Sequence, residues 1–479
     1  MLKPALLWST SLDPGVDEEV NVDTVRRGRR RVLSVVAAAV AVLAGVAGCS
    51  SGSSSGSGGT LTMWTFKQTH VKALQAAAAS FKSQTGITVN ITAYTPDDTY
   101  TAKVQSAAAT HNVADVLEVH AGGEDFTFGG AGILTDLASS VDASWRGRFL
   151  SGTADTGLVS DAVYQESLNP KSTHRGVKKG QLFSIPFTAG TFGIVYASKS
   201  KLAAAGIDPT KPPRTWQDLL DWFKATKAKD ANAGGVTLGL KSSSTGLDWV
   251  LEPLAYGYLG KAKYQALFGK DQSQAWGSPN GQQVLSLYNG ITPYWAAGTQ
   301  TLAIDDADRA FAQGKSAFDI GGTFTMSALQ QDGMNPDDIV AFGLPAATGG
   351  AISDLKLAPI ALTGLAISSQ SKNQADALKW LNFLTAQQQA GAFAQTSLDL
   401  PGTDLGANGS KLVGPHLSSL EAVFGTGDNA YNPGATTFIS PVWDITAAGD
   451  LVVKMSPLHE LTPASLNSQL GTYVANGWK

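Results

Sequence analysis

Trp64 closes the first strand-like run of the chain, and Glu118 and His120 stand at the end of another. Gly322, Thr323 and Phe324 follow a further apolar run, and Trp249 opens a segment rich in large rings. In open α/β sheets a ligand sits beyond the carboxyl ends of the strands, so these are the side chains to examine first. Rings, a carboxylate, an imidazole and a hydroxyl hold a solute by stacking and hydrogen bonding. Two readings stand for several of them. Trp64 alternates with Leu61, Met63 and Phe66 as a core residue would, and Glu118 has the alternative role of capping a helix or pairing with a lysine. Lys67 is read as solvated.

Bond-breaking chemistry finds little support. The six histidines (70, 111, 120, 174, 416 and 459) show no H-x-x-x-H or Cys/His spacing, so no metal site is expected. There is no phosphate-binding Gly-rich loop between a strand and a helix. Gly52–Gly56 matches G-x-S-x-G, but it lies in a Gly/Ser tract with no strand before it and no helix after it, as a nucleophile elbow requires. Glu118, Glu124 and Asp125 leave a two-carboxylate glycosidase site open without arguing for one. No catalytic residue and no cofactor are expected.

The elements that carry these residues alternate. A strand at Leu61–Phe66 is followed by a helix over 68–84, whose Val71, Leu74, Ala78 and Phe81 share one face and whose end suits Gly86. A strand at 87–91, a helix over Tyr100–Ala109, a strand at Val113–Val119 and a short helical piece from Ile133 follow. This order predicts an α/β protein with a mostly parallel sheet. Between Gly180 and Pro209, two apolar runs with Pro186 and Gly190 between them suggest a chain leaving one sheet and entering another. Thr215 with Asp218 three residues on marks a helix start.

At 479 residues two lobes are the prior. Charged residues make up 15% and the net charge is −4, so nothing points to nucleic acid. The N-terminal region is read as export and anchoring machinery. Residues 1–25 precede a basic run, RRGRRR at 26–31, and an apolar stretch over Val32–Ala47. An over-extended reading frame would account for residues 1–25, and the basic run also fits a loose twin-arginine pattern. Val46-Ala47-Gly48-Cys49 resembles the lipobox of bacterial lipoproteins and holds the only cysteine. The expectation is a signal peptide over 1–48, a lipidated Cys49 and a Gly/Ser tether to residue 59.

Gly180, Phe183, Ile185, Pro186, Phe187, Val195, Tyr196, Leu202, Ala205 and Gly206 fit a segment that resembles the bacterial extracellular solute-binding proteins of the sugar-importer type. Similar segments are TGITVNITAY, ADVLEV and GILTDL, then PRTWQDL at 213–219, Ala310–Phe318, and the helix NQADALKWLNFL from Asn373 with Pro401 beyond it. Together they cover about residues 60–405 in the family's order; residues 406–479 match less well. The resemblance implies a two-lobed periplasmic-binding-protein-like fold of type II, with an interlobe hinge and cleft. It assigns 60–187 with 316–362 to the N-terminal lobe and 188–315 with 363–479 to the C-terminal lobe. It adds Phe187 as cleft floor and Trp443 as a stacking ring.

The function this resemblance implies is that of a monomeric, lipid-anchored extracytoplasmic receptor handing a carbohydrate to the permease of an ABC importer. Alternatives are a binder of a polyamine, metal chelate or glycerophosphodiester, a secreted glycoside-processing enzyme, and a sensory lipoprotein.

Overall fold

The computed structural model describes residues 59–95, 99–435, 438–439 and 443–479. The signal peptide, Cys49 and nearly all of the tether lie outside the described residues. Eleven strands follow in order: β1 (Thr60–Thr65), β2 (Thr88–Ala93), β3 (Val116–His120), β4 (Ile185–Gly190), β5 (Phe192–Ser198), β6 (Val236–Thr237), β7 (Phe318–Gly322), β8 (Ile339–Gly343), β9 (Lys356–Leu357), β10 (Ile360–Ile367) and β11 (Ala430–Tyr431).

They form two main sheets. The first has the order β2-β1-β3-β10-β4 and the second β6-β7-β5-β8, with β9 and β11 paired separately. β1 runs parallel to β2 and β3, while β10 lies antiparallel between β3 and β4. In the second sheet β5 is antiparallel to both β7 and β8. The chain passes from β4 to β5 through Thr191 alone. The crossing read from the sequence around Pro186 and Gly190 is therefore found, although Pro186 itself is inside β4.

The returns are exchanged relative to expectation. Phe318–Gly322 pairs with β5 and β6 in the second sheet, so residues 316–362 do not rejoin the first lobe as a block. The strand that does rejoin the first sheet is Ile360–Ile367, which the expected boundary at 362 split, giving residues 363–367 to the C-terminal lobe. Both runs are short, mostly apolar and largely buried on both faces. Such a strand carries no alternation to say which sheet receives it. The piece from Ile133 is also not helical: Leu134 bridges Ser368, and Thr135 N–H donates to Ile367 O, extending the edge beside β10.

Local signals elsewhere hold. The expected first helix is a 3₁₀ turn (Gln68–His70) running into α1 (Val71–Thr85), with Gly86 left-handed at φ 77°. Tyr100–Ala109 is helical, as its pattern says, and is labelled α2. Thr215 and Asp218 form a reciprocal capping box for the helix Trp216–Lys229. The first sheet buries Leu61, Met63, Val116 and Leu365 against Leu74, Phe81 and Trp380, and Trp380 Nε1 lies 3.3 Å from Met63 Sδ. The second sheet buries Val195, Phe318 and Ile320 against Trp216, Phe223 and Leu219.

Candidate functional site at the lobe boundary

The strand directions set the site. The carboxyl ends of β1, β3 and β4, the start of β10, the end of β7 and the start of β5 all converge where Gly190 passes to Phe192. The approach is close: a Cβ on Gly190 would overlap Thr323 Oγ1 from one lobe and the Leu362 side chain from the other. Thr191 N–H donates to Thr323 Oγ1 at 3.3 Å, and Thr323 N–H donates to Thr191 O at 3.0 Å.

A file of rings and one cation crosses this boundary. His120 stacks on Phe66 with centroids 4.1 Å apart, and Lys67 Nζ stands 5.8 Å from the Phe66 ring centre. The same ammonium is 5.0 Å from the ring of Phe324, which belongs to the second lobe. Phe324 meets Trp249 edge-on at 6.3 Å, and Trp249 lies flat on Phe192 at 5.0 Å with an interplanar angle of 3°. Each aromatic contact is worth about 0.5–1.5 kcal/mol, and a cation over a ring about 0.5–2 kcal/mol. Trp249 sits on a π-helical turn, Gly246–Leu251, that leads into the helix Glu252–Leu259. Such turns insert an extra residue and re-aim the side chains beside it.

Behind the file lies a buried ionic bridge. His70, as imidazolium, donates through Nδ1 to Glu118 Oε1 at 3.0 Å and through Nε2 to Asp399 Oδ2 at 3.1 Å. Thr65 Oγ1 donates to Glu118 Oε2 at 2.5 Å. None of the four side chains has meaningful contact with solvent. Burial opposes the charge on His70, but the Glu118 charge and the hydrogen bond to Asp399 outweigh it and raise the imidazole to about 9. Burial likewise pushes the Glu118 carboxyl up. The His70 charge and hydrogen bonds from His70, Thr65 and Thr363 more than offset it and hold the carboxyl below its ordinary value.

A second acidic group stands beside Trp249. Glu252 Oε2 accepts from Tyr264 Oη at 2.9 Å and from Tyr431 Oη at 2.8 Å. Asp248, half-buried, lies 3.4 Å from the Tyr431 hydroxyl. Burial first, and then the charge of Glu252, push the Asp248 carboxyl up to about 8, and burial raises Glu252 as well. Among the described residues no cluster of His, Cys, Asp and Glu could hold a metal ion.

The structure brings His120, Trp249, Gly322, Thr323 and Phe324 to one boundary, where His120 and Phe324 are half-buried and Trp249, Gly322 and Thr323 are buried. Gly322 O accepts from Tyr196 Oη at 2.7 Å, so the backbone there is already engaged. Glu118 is a correction: both of its oxygens are taken inside the protein, and no solute reaches them. Phe187 is another. It is buried against Phe393 at 4.6 Å and the edge of His70, as core and not as cleft floor. Trp443 is buried in the second-lobe core, packed on Tyr473 and Phe268. Trp64 is half-buried against Tyr94 at 4.9 Å, with Lys103 Nζ 5.5 Å from its ring, on the first lobe beside the file. Lys67, read as solvated, is half-buried between two rings. Phe66 and Phe192 were not singled out either. Their signal was position: one follows Trp64 at a strand end, the other follows the crossing.

A family model described as bacterial extracellular solute-binding protein matches residues 67–391. Solved structures share the fold. One is from a study of xylan utilization by the thermophilic bacterium Caldanaerobius polysaccharolyticus (20% identity, 86% of this chain and 99% of the other, TM-score 0.63). Others are maltose-bound MalE3 of T. maritima (21%, 87% and 98%, 0.61) and the maltotriose-binding protein of Thermus thermophilus (16%, 88% and 100%, 0.58). All are two-lobed, periplasmic-binding-protein-like folds. Among curated relatives, the sn-glycerol-3-phosphate-binding periplasmic protein UgpB of Escherichia coli K12 is 42% identical over 57 residues, 12% of this chain and 13% of that protein. A match to the Shigella flexneri protein has the same extent, so the chain spans little of the curated relatives' length. The family match covers well over half of the chain, and the chain belongs to the bacterial extracellular solute-binding proteins.

Proposed function

We propose that this protein is the extracytoplasmic receptor of an ABC importer and captures a carbohydrate between its lobes. The observation that carries the reading is the file His120–Phe66–Lys67–Phe324–Trp249–Phe192, which is continuous across the boundary. A sugar presents C–H faces to rings and hydroxyls to donors and acceptors. Phe324 would supply a face and His120 and Asp248 polar contacts, with Trp64 extending the first-lobe wall and the buried Trp249 and Thr323 backing the site from within. Ligand held by both lobes favours the closed arrangement and shifts the population toward it, and the permease would recognise that closed face. Several of the similar structures carry bound sugars or come from sugar-utilization work, which supports the reading.

The protein would act by binding alone, without turnover, as a monomer tethered to the membrane by a lipid on Cys49. Mass spectrometry of the membrane-bound form should find Cys49 as the lipidated N-terminus. A mature chain retaining Gly48 contradicts the anchor. For the function itself, thermal unfolding should be followed against a panel of oligosaccharides. A ligand at a hundredfold excess over its Kd stabilises by about 2.7 kcal/mol. A panel that leaves the transition unmoved, or hydrolysis of a chromogenic glycoside, contradicts the proposal.

A further inference from the structure

The turn that carries Lys67 is built around the buried bridge. Lys67 N–H donates to Thr65 Oγ1 at 2.9 Å, and that hydroxyl donates to Glu118 Oε2. Lys67 O accepts from His70 N–H at 3.1 Å, while the His70 ring is held between Glu118 and Asp399. Both backbone groups of Lys67 are thus fixed by residues with no solvent contact of note. The side chain they present is half-buried, with its ammonium between Phe66 of one lobe and Phe324 of the other. Among the described residues no carboxylate pairs with that ammonium, whereas the buried His70 behind it lies between Glu118 and Asp399.

A cation partly dehydrated between two rings and without a counter-charge is completed by an acceptor brought from outside. The rings satisfy its charge only in part, since each contributes a quadrupole and not an anion. We infer that Lys67 is a specificity-determining residue of the cleft, selecting solutes that carry an anionic substituent, a carboxylate or a phosphate, next to an apolar face that rests on Phe324. Glu118 and His70 are its positioning residues and do not touch the solute. This deepens the proposed function and rests on it: the lobes must first be a solute-binding cleft.

Titration calorimetry on the intact protein separates the possibilities. Three probes suffice: a neutral xylo-oligosaccharide, the same oligosaccharide bearing one glucuronic acid, and sn-glycerol 3-phosphate. The carboxylate and phosphate probes distinguish the two sources of the anion. A hydrogen bond to a charged group predicts a preference for one of the anionic probes on the order of ten- to a hundredfold over the neutral one. That preference should shrink as salt is raised, because the site is only half-buried. Lys67→Met keeps the aliphatic stem over the rings and removes the charge. It should level the affinities for charged and neutral probes while leaving the unfolding transition in place. Equal binding of neutral and anionic probes by the wild type overturns the inference and leaves the carbohydrate reading standing, as does a Lys67→Met protein that keeps the preference. Binding of no probe overturns this inference and counts against the proposed function as well.

Discussion

Replacing His70 by Asn removes the only cation between two buried carboxylates. Its effect follows from the bridge geometry. The imidazole is raised from its ordinary value of 6.5 to about 9, and at about 1.4 kcal/mol per pKa unit that corresponds to roughly 3 kcal/mol. Removing one partner of a buried pair, and leaving the other charge uncompensated, typically costs about 3–5 kcal/mol, which agrees in scale. The sign is definite. A raised histidine pKa means that its contribution is fully present below the unfolded value of 6.5 and is lost as the pH climbs through about 9. The lowered pKa of Glu118 acts on the other side: its contribution is present above the unfolded value of 4.5 and is lost as the pH falls. Urea unfolding of wild type and His70→Asn should therefore differ by about 3–5 kcal/mol near pH 6, with the gap narrowing toward pH 10. A difference below about 1 kcal/mol, or one that does not change with pH, would refute the charged bridge.

Two further variants test packing at and away from the boundary. Gly190→Ala forces a methyl group into Thr323 Oγ1 and Leu362 and should destabilise by about 1–3 kcal/mol, read by chemical unfolding; unchanged stability would mean the lobes are not this close at the crossing. Trp443→Ala should lower the stability of the ligand-free protein by about 3–5 kcal/mol, as core truncation does, and leave solute affinity in the folded fraction unaltered. Loss of affinity without loss of stability would return Trp443 to the site.

Much of the framework was legible because its signals are local. Gly86 ends α1 and Thr215 caps its helix through residues within a few positions of each other. The identity of the returning strand was not, because FDIGG and IALTGLAI are both short, largely buried runs without alternation and their sheet is decided by pairing with distant partners. The site divides in the same way. His120, Trp249, Thr323 and Phe324 were singled out by standing at strand ends and at the head of a ring-rich helix, and they meet at the boundary. Glu118 was found but misread, since the residues that occupy it are His70, 48 positions earlier, and Thr65, 53 positions earlier. Asp399, 329 positions from His70, carries no sequence mark of its role. Lys67 looks like any surface lysine until Phe324 is brought over it.

The central claim is that a solute is gripped where the ring file crosses from one lobe to the other. It is tested most directly by the affinity of Phe324→Ala for whichever oligosaccharide stabilises the wild type, measured by titration calorimetry beside the unfolding midpoint without ligand. Burial of such a ring at about 25 cal/mol per Å² is worth on the order of 1–3 kcal/mol, so binding should weaken by roughly 5- to 150-fold. Because Phe324 is half-buried, the ligand-free transition should move less than for a core ring. Wild-type affinity in a folded Phe324→Ala protein would contradict the account and place the solute elsewhere.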